Sequence, residues 1–207
     1  MSRLFDCRDD QLMNAAVFLD RDGTINEDAG YVSRPEDLKL YPWAAQAVRA
    51  INQSGMKAIV VTNQSGVARG LHTEGDLRVV HDKMIAELAQ AGAIIDAVYY
   101  CPHHPRFGDS RYGIDCDCRK PKPGLVNLAA RELAIDLAAS FVIGDKLSDL
   151  ELALNAGAAP ALVLTGYGRE TLARLEGSRF RPAIIAADLL EAVDEVLNQR
   201  SRGPMTE

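Results

Sequence analysis

The sequence predicts an α/β protein with a doubly wound, mostly parallel sheet. Short apolar runs rich in β-branched residues alternate along the chain with segments of helical length, as in sheets of this class. Polar residues directly follow three of these runs, where parallel sheets place their ligand sites. With 207 residues, 47% of them hydrophobic, the chain can form one well-packed core. We expect a single domain over residues 1–207, with a polar extension at 1–14 and a tail at 201–207.

The first half of the chain predicts three strands joined by two helices. Pro42 near the start and Gly55 just after the end mark the first helix. Thr73, with Asp76 three residues later, is typical of the N-terminus of the second helix. The predicted strands span 15–20, 57–62 and 94–100, and the predicted helices span 42–54 and 73–91.

The alternation stops at residues 101–118, where prolines and glycines predict an inserted loop. Asp188 favours an N-cap position and so marks the start of the last helix. The later predicted helices span 123–133, 147–156 and 188–199, and the strands span 140–144, 160–165 and, at an edge, 183–186. No segment has room for a large cap domain, so the inserted loop would form one wall of an open site.

Charge and hydropathy indicate which partners to expect. The net charge of −6 disfavours nucleic acid and anionic membranes as the main partner. No apolar run reaches the length of a membrane span, and the first residues lack the apolar core of a signal peptide. We expect a cytoplasmic protein that does not bind membranes. The absence of a large apolar surface stripe favours a monomer.

Three acidic residues lie at predicted strand ends. Asp20 and Asp22 follow the first strand, and Asp145 follows the strand at 140–144. Two carboxylates this close repel each other unless a cation or a proton lies between them. Because the carboxyl ends of parallel strands share one edge, the three acids can form a Mg²⁺ site. Asp145 could instead be a simple helix cap.

Phosphate-binding groups are expected at the same edge. Thr62 offers a hydroxyl, and the turn at 63–66 offers backbone N–H groups that could hold phosphate oxygens. Arg119 and Lys120 bring positive charge just ahead of a helix, where developing phosphoryl charge would need it. The alternatives are ordinary turn formers at 62–63 and a solvated linker at 119–122.

The inserted loop carries a candidate zinc set. Cys101, His103, Cys116 and Cys118 supply three thiolates and one imidazole, which fill a tetrahedral zinc site and leave no position for a catalytic water. We therefore expect a structural Zn²⁺. A disulfide or free thiols are the alternatives, and His104 is the rival to His103.

Two further histidines are expected to have no role in the site. We interpret His72 and His81 as ordinary surface residues. Trp43 is expected to pack beneath the first helix.

The motifs together resemble those of the haloacid dehalogenase-like (HAD) phosphohydrolases. Four of them occur in the family's order over about residues 17–165: Asp20-x-Asp22-Gly23-Thr24, Thr62-Asn63, Lys120 and Gly144-Asp145. This resemblance implies a HAD-like Rossmannoid fold. Within the family, the chain most closely resembles the branch that removes the 7-phosphate of a heptose 1,7-bisphosphate, a small sugar bisphosphate. That likeness is carried by residues 19–26, 30–32, 62–66, 101–105, 116–121 and 144–146.

The resemblance implies a role for each motif. Asp20 would be the nucleophile that forms an aspartyl-phosphate, and Asp22 would be the general acid and base. Mg²⁺ would bind Asp20, the backbone carbonyl of Asp22, and Asp145, while Thr62 and Lys120 stabilise the phosphoryl group. Lys120 is assigned this role rather than Lys122. The residues expected to contact the substrate are Asp28, Gly30, Tyr31, Asn63, Gln64, Ser65, Arg119 and Lys146.

Two other functions stay open at this point. A histidinol-phosphate phosphatase of the same family also uses a zinc loop, although residues 30–32 and the long interval between His103 and Cys116 favour the heptose branch. A zinc-organised phosphosugar-binding module without catalysis is the other alternative. The presence of every expected acid argues against it.

Overall fold

The computed structural model describes residues 14–176 and 180–201, which form one six-stranded sheet with helices on both faces. The strands are β1 (Ala16–Leu19), β2 (Lys57–Asn63), β3 (Ala97–Cys101), β4 (Phe141–Gly144), β5 (Ala159–Val163) and β6 (Ile184–Ala186). Their order across the sheet is β3-β2-β1-β4-β5-β6, and each neighbouring pair is parallel. The predicted α/β fold with a doubly wound parallel sheet is confirmed.

Each helix but the last connects two successive strands, the last follows β6, and the helices pack on the two faces of the sheet. They are α1 (Ala44–Gln53), α2 (Glu74–Gln90), α3 (Gly124–Glu132), α4 (Leu147–Ala156), α5 (Gly168–Leu175) and α6 (Leu189–Ser201), with a short 3₁₀ turn at Pro35–Asp37. Among the described residues, no helix is long and apolar enough to span a bilayer.

Side chains of β1 alternate between the two faces of the sheet, and each face carries its own apolar core. Val17 and Leu19 of β1 pack with α1, α2 and α6, whereas Ala16 and Phe18 pack with α3 and α4. Successive side chains of a strand point to opposite faces, so a strand buried on both sides is apolar throughout. All four β1 side chains are buried, which explains the uninterrupted apolar run before Asp20.

Several element boundaries differ from the sequence prediction. Strand β3 begins at Ala97 rather than at residue 94, because the chain before it turns outward and leaves Ile94 63% exposed. The N-caps predicted for α2 and α6 are present: Thr73 and Asp76 form a reciprocal capping box, and Asp188 Oδ1 accepts from the backbone N–H of Leu190. Helix α5 was not predicted.

The segments that could have carried a cap are short and irregular. Residues 20–43 contain only the 3₁₀ turn, and residues 102–123 contain no helix or strand. Neither segment contains the helices and strands of a large cap domain, as expected. The predicted extension at 1–14 and the tail at 201–207 lie outside the described residues except for Asn14, which forms an isolated bridge with Ile135, and Ser201, the last residue of α6.

Candidate active site

The two predicted catalytic aspartates lie at the carboxyl end of β1. The Asp20 backbone N–H donates to the Ile143 carbonyl at 2.9 Å, which continues the β1–β4 ladder by one residue. The chain then turns at Gly23, whose φ of +87° favours glycine. A Cβ on Gly23 would also collide with the Asp145 carboxylate. The Asp-x-Asp-Gly motif is therefore a strand end followed by a turn that brings two strand ends together.

Lys120 connects the nucleophile candidate to a second carboxylate. Its Nζ lies 2.8 Å from Asp20 Oδ1 and 2.7 Å from Asp149 Oδ1, and it donates to the Val61 carbonyl at 3.0 Å. Asn63 fixes the Lys120 backbone through two hydrogen bonds, one to its N–H and one to its carbonyl. The ammonium is thereby held beside Asp20 without exposure to solvent.

Burial and charge set the protonation of this group. Burial favours the neutral carboxyl of Asp20, but Lys120 and Lys146 outweigh it and hold the Asp20 pKa below its ordinary value. Burial also opposes the charged form of Lys120, yet Asp149 and Asp20 raise the Lys120 pKa. Asp20 is therefore ionised at neutral pH, as a nucleophile requires.

Asp145 provides the clearest sign of a cation site. Its Oδ2 accepts the Tyr167 backbone N–H at 2.7 Å, while its buried Oδ1 has no hydrogen-bond partner within the described chain. Carboxylate oxygens of Asp20, Asp145 and Asp149 all lie within 4.8 Å of one another. Burial and the charge of Asp20 raise the pKa of Asp145 to about 7. The nearest cation to Oδ1 is Lys146 Nζ at 3.8 Å, beyond hydrogen-bond distance. A buried carboxylate oxygen without a hydrogen bond, among other carboxylates, suits a hard divalent cation.

Asp149 was missing from the predicted set. It is fully buried on α4, and its Oδ2 accepts the Lys146 backbone N–H at 3.0 Å. Its position four residues after Asp145 places both carboxylates near the same helix N-terminus, which is a spacing that the sequence could have revealed.

The carboxylate of Asp22 accepts hydrogen bonds from a set of side-chain donors and is not one of the three clustered carboxylates. Arg21 binds it through Nε and Nη2, at 2.8–3.0 Å. Asn26 Nδ2 donates to Oδ1 at 3.0 Å, and Gln64 Nε2 donates to Oδ2 at 2.8 Å and to Thr62 Oγ1 at 3.0 Å. Gln64 thus joins the two predicted site residues Asp22 and Thr62 across neighbouring strand ends.

The interpretation of His72 and His81 as surface residues was wrong. Both are buried, at 8% and 5% exposure. The His72 ring packs against Gly66 in the turn after β2, where it fills the space that a Cβ would need. His81 Nε2 lies 3.1 Å from Arg21 Nη1. His72 precedes α2 in a polar stretch, so nothing in the sequence around it indicates its burial. His81 lies on the same face of α2 as the buried Leu77, Val80 and Met84, and this helical spacing is the signal that could have revealed its burial.

The predicted sugar-facing residues occupy the rim. Lys146 Nζ lies 2.9 Å from Asp28 Oδ2, and Asp28 Oδ1 accepts the Gly30 backbone N–H at 2.8 Å. Tyr31 is 46% exposed, and the guanidinium carbon of Arg69 lies 5.8 Å from its ring centre. Ser65 is half-buried in the turn after β2. These groups leave exposed hydrogen-bonding surface beside the buried acids.

The four predicted zinc ligands converge at the end of β3. Cys118 Sγ lies 3.2 Å from Cys101 Sγ, 3.1 Å from Cys116 Sγ and 3.2 Å from His103 Nδ1. Cys101 Sγ lies 3.5 Å from Cys116 Sγ and 3.8 Å from His103 Nδ1. A disulfide needs about 2.05 Å between sulfurs, so the three cysteines are free thiols. The separations approach the roughly 3.8 Å between ligands of a tetrahedral zinc–sulfur site.

His103 and not His104 belongs to this cluster. The His104 Nδ1 accepts the Arg106 backbone N–H at 3.1 Å, and its ring packs on Phe107 with 4.7 Å between ring centres. Burial and the neighbouring Cys116 thiol raise the pKa of Cys118 to about 11 in the absence of metal. Arg119 donates to the His103 carbonyl at 3.1 Å, so the loop joins directly to the segment that carries Lys120.

Three comparisons show which known proteins this chain resembles. Residues 117–192 match the HAD-hydrolase-like family model. A D-glycero-beta-D-manno-heptose-1,7-bisphosphate 7-phosphatase of Bordetella bronchiseptica is 40% identical over 187 residues, covering 88% of this chain and 98% of that protein. The enzyme of the same name from Escherichia coli K12 is 43% identical over 152 residues, covering 73% of this chain and 80% of the relative.

Solved structures show the same fold. The crystal structure of the D,D-heptose 1,7-bisphosphate phosphatase from B. bronchiseptica, complexed with magnesium and phosphate, superposes with a TM-score of 0.79 at 39% identity. It covers 89% of this chain and 99% of that one. The corresponding enzyme from Burkholderia thailandensis gives a TM-score of 0.66 at 33% identity and covers 89% and 99% of the two chains.

Proposed function

The chain belongs to the D-glycero-beta-D-manno-heptose-1,7-bisphosphate 7-phosphatase family of HAD-like hydrolases, and on that premise we propose that it removes the 7-phosphate of that sugar bisphosphate. The observation that carries the proposal is the buried group of Asp20, Lys120, Asp145 and Asp149. It combines an ionised carboxylate, a fixed ammonium and a site for a divalent cation. A site of this composition stabilises a phosphoryl group during transfer.

In the first step, Asp20 attacks phosphorus. An oxygen of its carboxylate forms a bond to phosphorus while the bond from phosphorus to the sugar oxygen breaks. Asp22 gives a proton to that oxygen, so the sugar leaves as an alcohol. Lys120 and Thr62 stabilise the charge on the phosphoryl oxygens. The product of this step is an aspartyl-phosphate on Asp20.

In the second step, water hydrolyses the aspartyl-phosphate. Asp22, now ionised, takes a proton from the water as its oxygen bonds to phosphorus. The acyl-phosphate bond breaks, the Asp20 carboxylate is regenerated and inorganic phosphate leaves. One residue therefore serves as acid and then as base, which requires Asp22 to stay in a fixed orientation through both steps.

We assign Mg²⁺ to the acidic cluster. Asp20, Asp145 and the backbone carbonyl of Asp22 would hold it, with Asp149 beside them. When bound, it supplies positive charge that orients the phosphate and offsets repulsion among the carboxylates. The buried Asp145 Oδ1, which accepts no hydrogen bond, supports this assignment. The magnesium and phosphate in the B. bronchiseptica structure agree with it.

We assign a structural Zn²⁺ to Cys101, His103, Cys116 and Cys118. The spacing of the four ligand atoms and the absence of a disulfide among them support it. Residues 102–118 lack helices and strands, so a metal would hold their shape in place of an apolar core.

Substrate recognition is assigned to the rim around this site. Lys146, Asp28, Gly30 and Tyr31 would contact the sugar from one side, and Arg119 would contact it from the zinc loop. Asn63, Gln64 and Ser65 belong to the turn after β2, beside the phosphoryl group. A small substrate agrees with the lack of a cap over residues 20–43 and 102–123. We further propose that the enzyme is a cytoplasmic monomer.

The Asp20→Asn variant tests the nucleophile. We expect it to release no phosphate from heptose 1,7-bisphosphate with Mg²⁺ while retaining the fold, because an amide cannot attack phosphorus. Retained turnover would contradict the assignment. A substrate panel with both anomers of the bisphosphate and histidinol phosphate tests the substrate class, and a preference for histidinol phosphate would overturn it.

A further inference from the structure

Arg21 connects the acid–base candidate Asp22 to helix α2. Its side chain is fully buried, and its guanidinium binds both oxygens of Asp22 on one side and His81 Nε2 on the other. Burial of a guanidinium carries a large desolvation cost, which pairing and full hydrogen bonding offset. The Arg21 backbone also contributes, because its carbonyl accepts N–H groups from the turn that follows, at 2.9–3.3 Å.

The guanidinium fixes the tautomer of His81. An arginine side chain only donates hydrogen bonds, so His81 Nε2 accepts and the ring proton resides on Nδ1. Burial, reinforced by the charge of Arg21, lowers the pKa of His81 to about 3 and keeps the ring neutral. The Tyr100 ring packs against the imidazole with 5.7 Å between ring centres. His81 is therefore a rigid, neutral acceptor held by α2.

This connection controls the orientation of Asp22. Asn26 and Gln64 each donate one hydrogen bond to the carboxylate, and Arg21 contributes two nitrogen atoms in a planar fork. A planar fork determines the plane of the carboxylate more strictly than single donors do. The rate of a proton transfer falls steeply when the donor is misaligned with the acceptor. Arg21 can hold this alignment only if its guanidinium does not rotate. His81 blocks that rotation because its Nε2 accepts a hydrogen bond from Arg21 Nη1.

We propose that Arg21 and His81 are positioning residues for the acid–base chemistry of Asp22. Helix α2 fixes His81, His81 fixes the guanidinium, and the guanidinium fixes the carboxylate. The inference rests on the proposed function, because it assigns Asp22 the proton transfers of that reaction. It predicts that loss of the His81 acceptor slows the two steps in which Asp22 transfers a proton. Transfer of the phosphoryl group to Asp20 from a leaving group that needs no proton should keep its rate.

A comparison of leaving groups tests the claim. The sugar oxygen of heptose 1,7-bisphosphate needs a proton as it leaves, whereas p-nitrophenolate leaves as a stable anion. We expect His81→Leu to lower kcat on the heptose substrate about 10- to 100-fold with little change in KM, a part of the full acid–base contribution. With p-nitrophenyl phosphate the variant should release a burst of p-nitrophenolate, because only hydrolysis of the aspartyl-phosphate is slowed.

Two matched variants separate positioning from packing. In His81→Gln the amide oxygen can take the place of Nε2, so we expect most of the heptose activity to return. Tyr100→Leu removes the aromatic ring that packs on His81 but leaves the Arg21 contact, so its kcat should stay within about twofold of the wild type. Circular dichroism and thermal unfolding establish that each variant is folded.

Several results would overturn the proposal. Unchanged heptose turnover in folded His81→Leu would do so, as would an equal slowing of the first step on both substrates. If His81→Leu does not fold, Arg21→Lys tests the proposal instead, because it keeps the positive charge and loses the planar fork. We expect it to slow turnover of the heptose substrate while sparing the release of p-nitrophenolate. An equal loss of the first step on both substrates would contradict a positioning role. Failure of the proposed function would instead be seen in the wild-type enzyme, as an absence of phosphate release from heptose 1,7-bisphosphate.

Discussion

Lys120 and Asp20 form an ion pair that is almost closed to solvent, with 2.8 Å between Nζ and Oδ1. The same ammonium also bonds Asp149 and the Val61 carbonyl, so its three N–H groups point in three fixed directions. A cation held this way needs no rearrangement when charge develops on a phosphoryl group at Asp20, and such preorganisation is a main source of catalytic stabilisation.

Lys120→Met should therefore remove most of the activity. We expect kcat to fall by about 10²- to 10³-fold, the range for loss of one preorganised donor. Lys120→Arg should recover little, because a planar guanidinium cannot match three tetrahedral contacts. Phosphate release per folded enzyme measures both variants. Lys122, a half-buried lysine that pairs with Asp115, provides the matched control, and a comparable loss in Lys122→Met would reassign the phosphoryl role.

The convergence of the acids could be predicted because it depends on local patterns. Each of Asp20, Asn63 and Asp145 ends or directly follows a short apolar strand, and parallel pairing places all such ends at one edge. The four candidate zinc ligands could likewise be identified from residue type and spacing. These features need no knowledge of side-chain packing.

The partners that orient the acids could not be predicted from such patterns. His81 lies 60 residues from Arg21, and nothing local to either residue indicates that α2 packs over the Asp20–Asp22 turn. Helix α5 was missed for a related reason: it is short, and few of its side chains are apolar, so tertiary contacts near Asp145 stabilise it, including the Thr171 hydroxyl on the Asp145 carbonyl.

Binding of Mg²⁺ should weaken as the pH falls through about 7. Asp145 has a folded-state pKa of about 7, above its ordinary value of 3.8, so the metal-free native state holds a proton there that the unfolded state releases. The free energy of unfolding of the metal-free protein therefore falls as the pH rises from 3.8 to about 7. Because the cation needs the ionised form, we expect its affinity to drop by up to about tenfold per pH unit below 7.

Isothermal titration with Mg²⁺ at several pH values measures this effect. Thermal unfolding gives a second readout, since Mg²⁺ should raise Tm more above pH 7 than below it by selective binding to the folded state. Asp145→Asn is the control and should show weak binding without the pH dependence. An affinity in the wild type that does not change between about pH 6 and pH 8 would contradict the assignment.

The zinc site should contribute more to stability than to chemistry. We expect about one zinc per chain by elemental analysis. His103→Ala should lose it and unfold about 5–10 °C lower, because the loop at 102–118 then lacks its cross-link. Cys116→Ala should behave in the same way, with kcat of the folded enzyme changed less than its stability.

His104→Ala is the matched control for the zinc site. His104 neighbours the ligand in sequence but packs on Phe107, so its loss should leave the zinc content unchanged. A metal-free protein of full stability would contradict the assignment of zinc. Loss of turnover in a Cys116→Ala protein of unchanged stability would show that the role of the site is not purely structural.

His81 should make the protein sensitive to acid. Its folded-state pKa of about 3 lies below the ordinary value of 6.5, so between these values the unfolded state binds a proton that the native state does not. Stability is therefore complete above about pH 6.5 and falls as the pH drops, by about 2 kcal/mol at pH 5 from this residue. Urea unfolding at pH 7 and pH 5 measures the loss. His81→Gln cannot take up a proton, so between pH 7 and pH 5 its free energy of unfolding should fall by about 2 kcal/mol less than that of the wild type. An NMR titration in which the His81 ring takes up a proton near pH 6.5 in the folded protein would contradict the prediction, because a neutral Nε2 could then not remain bonded to Arg21.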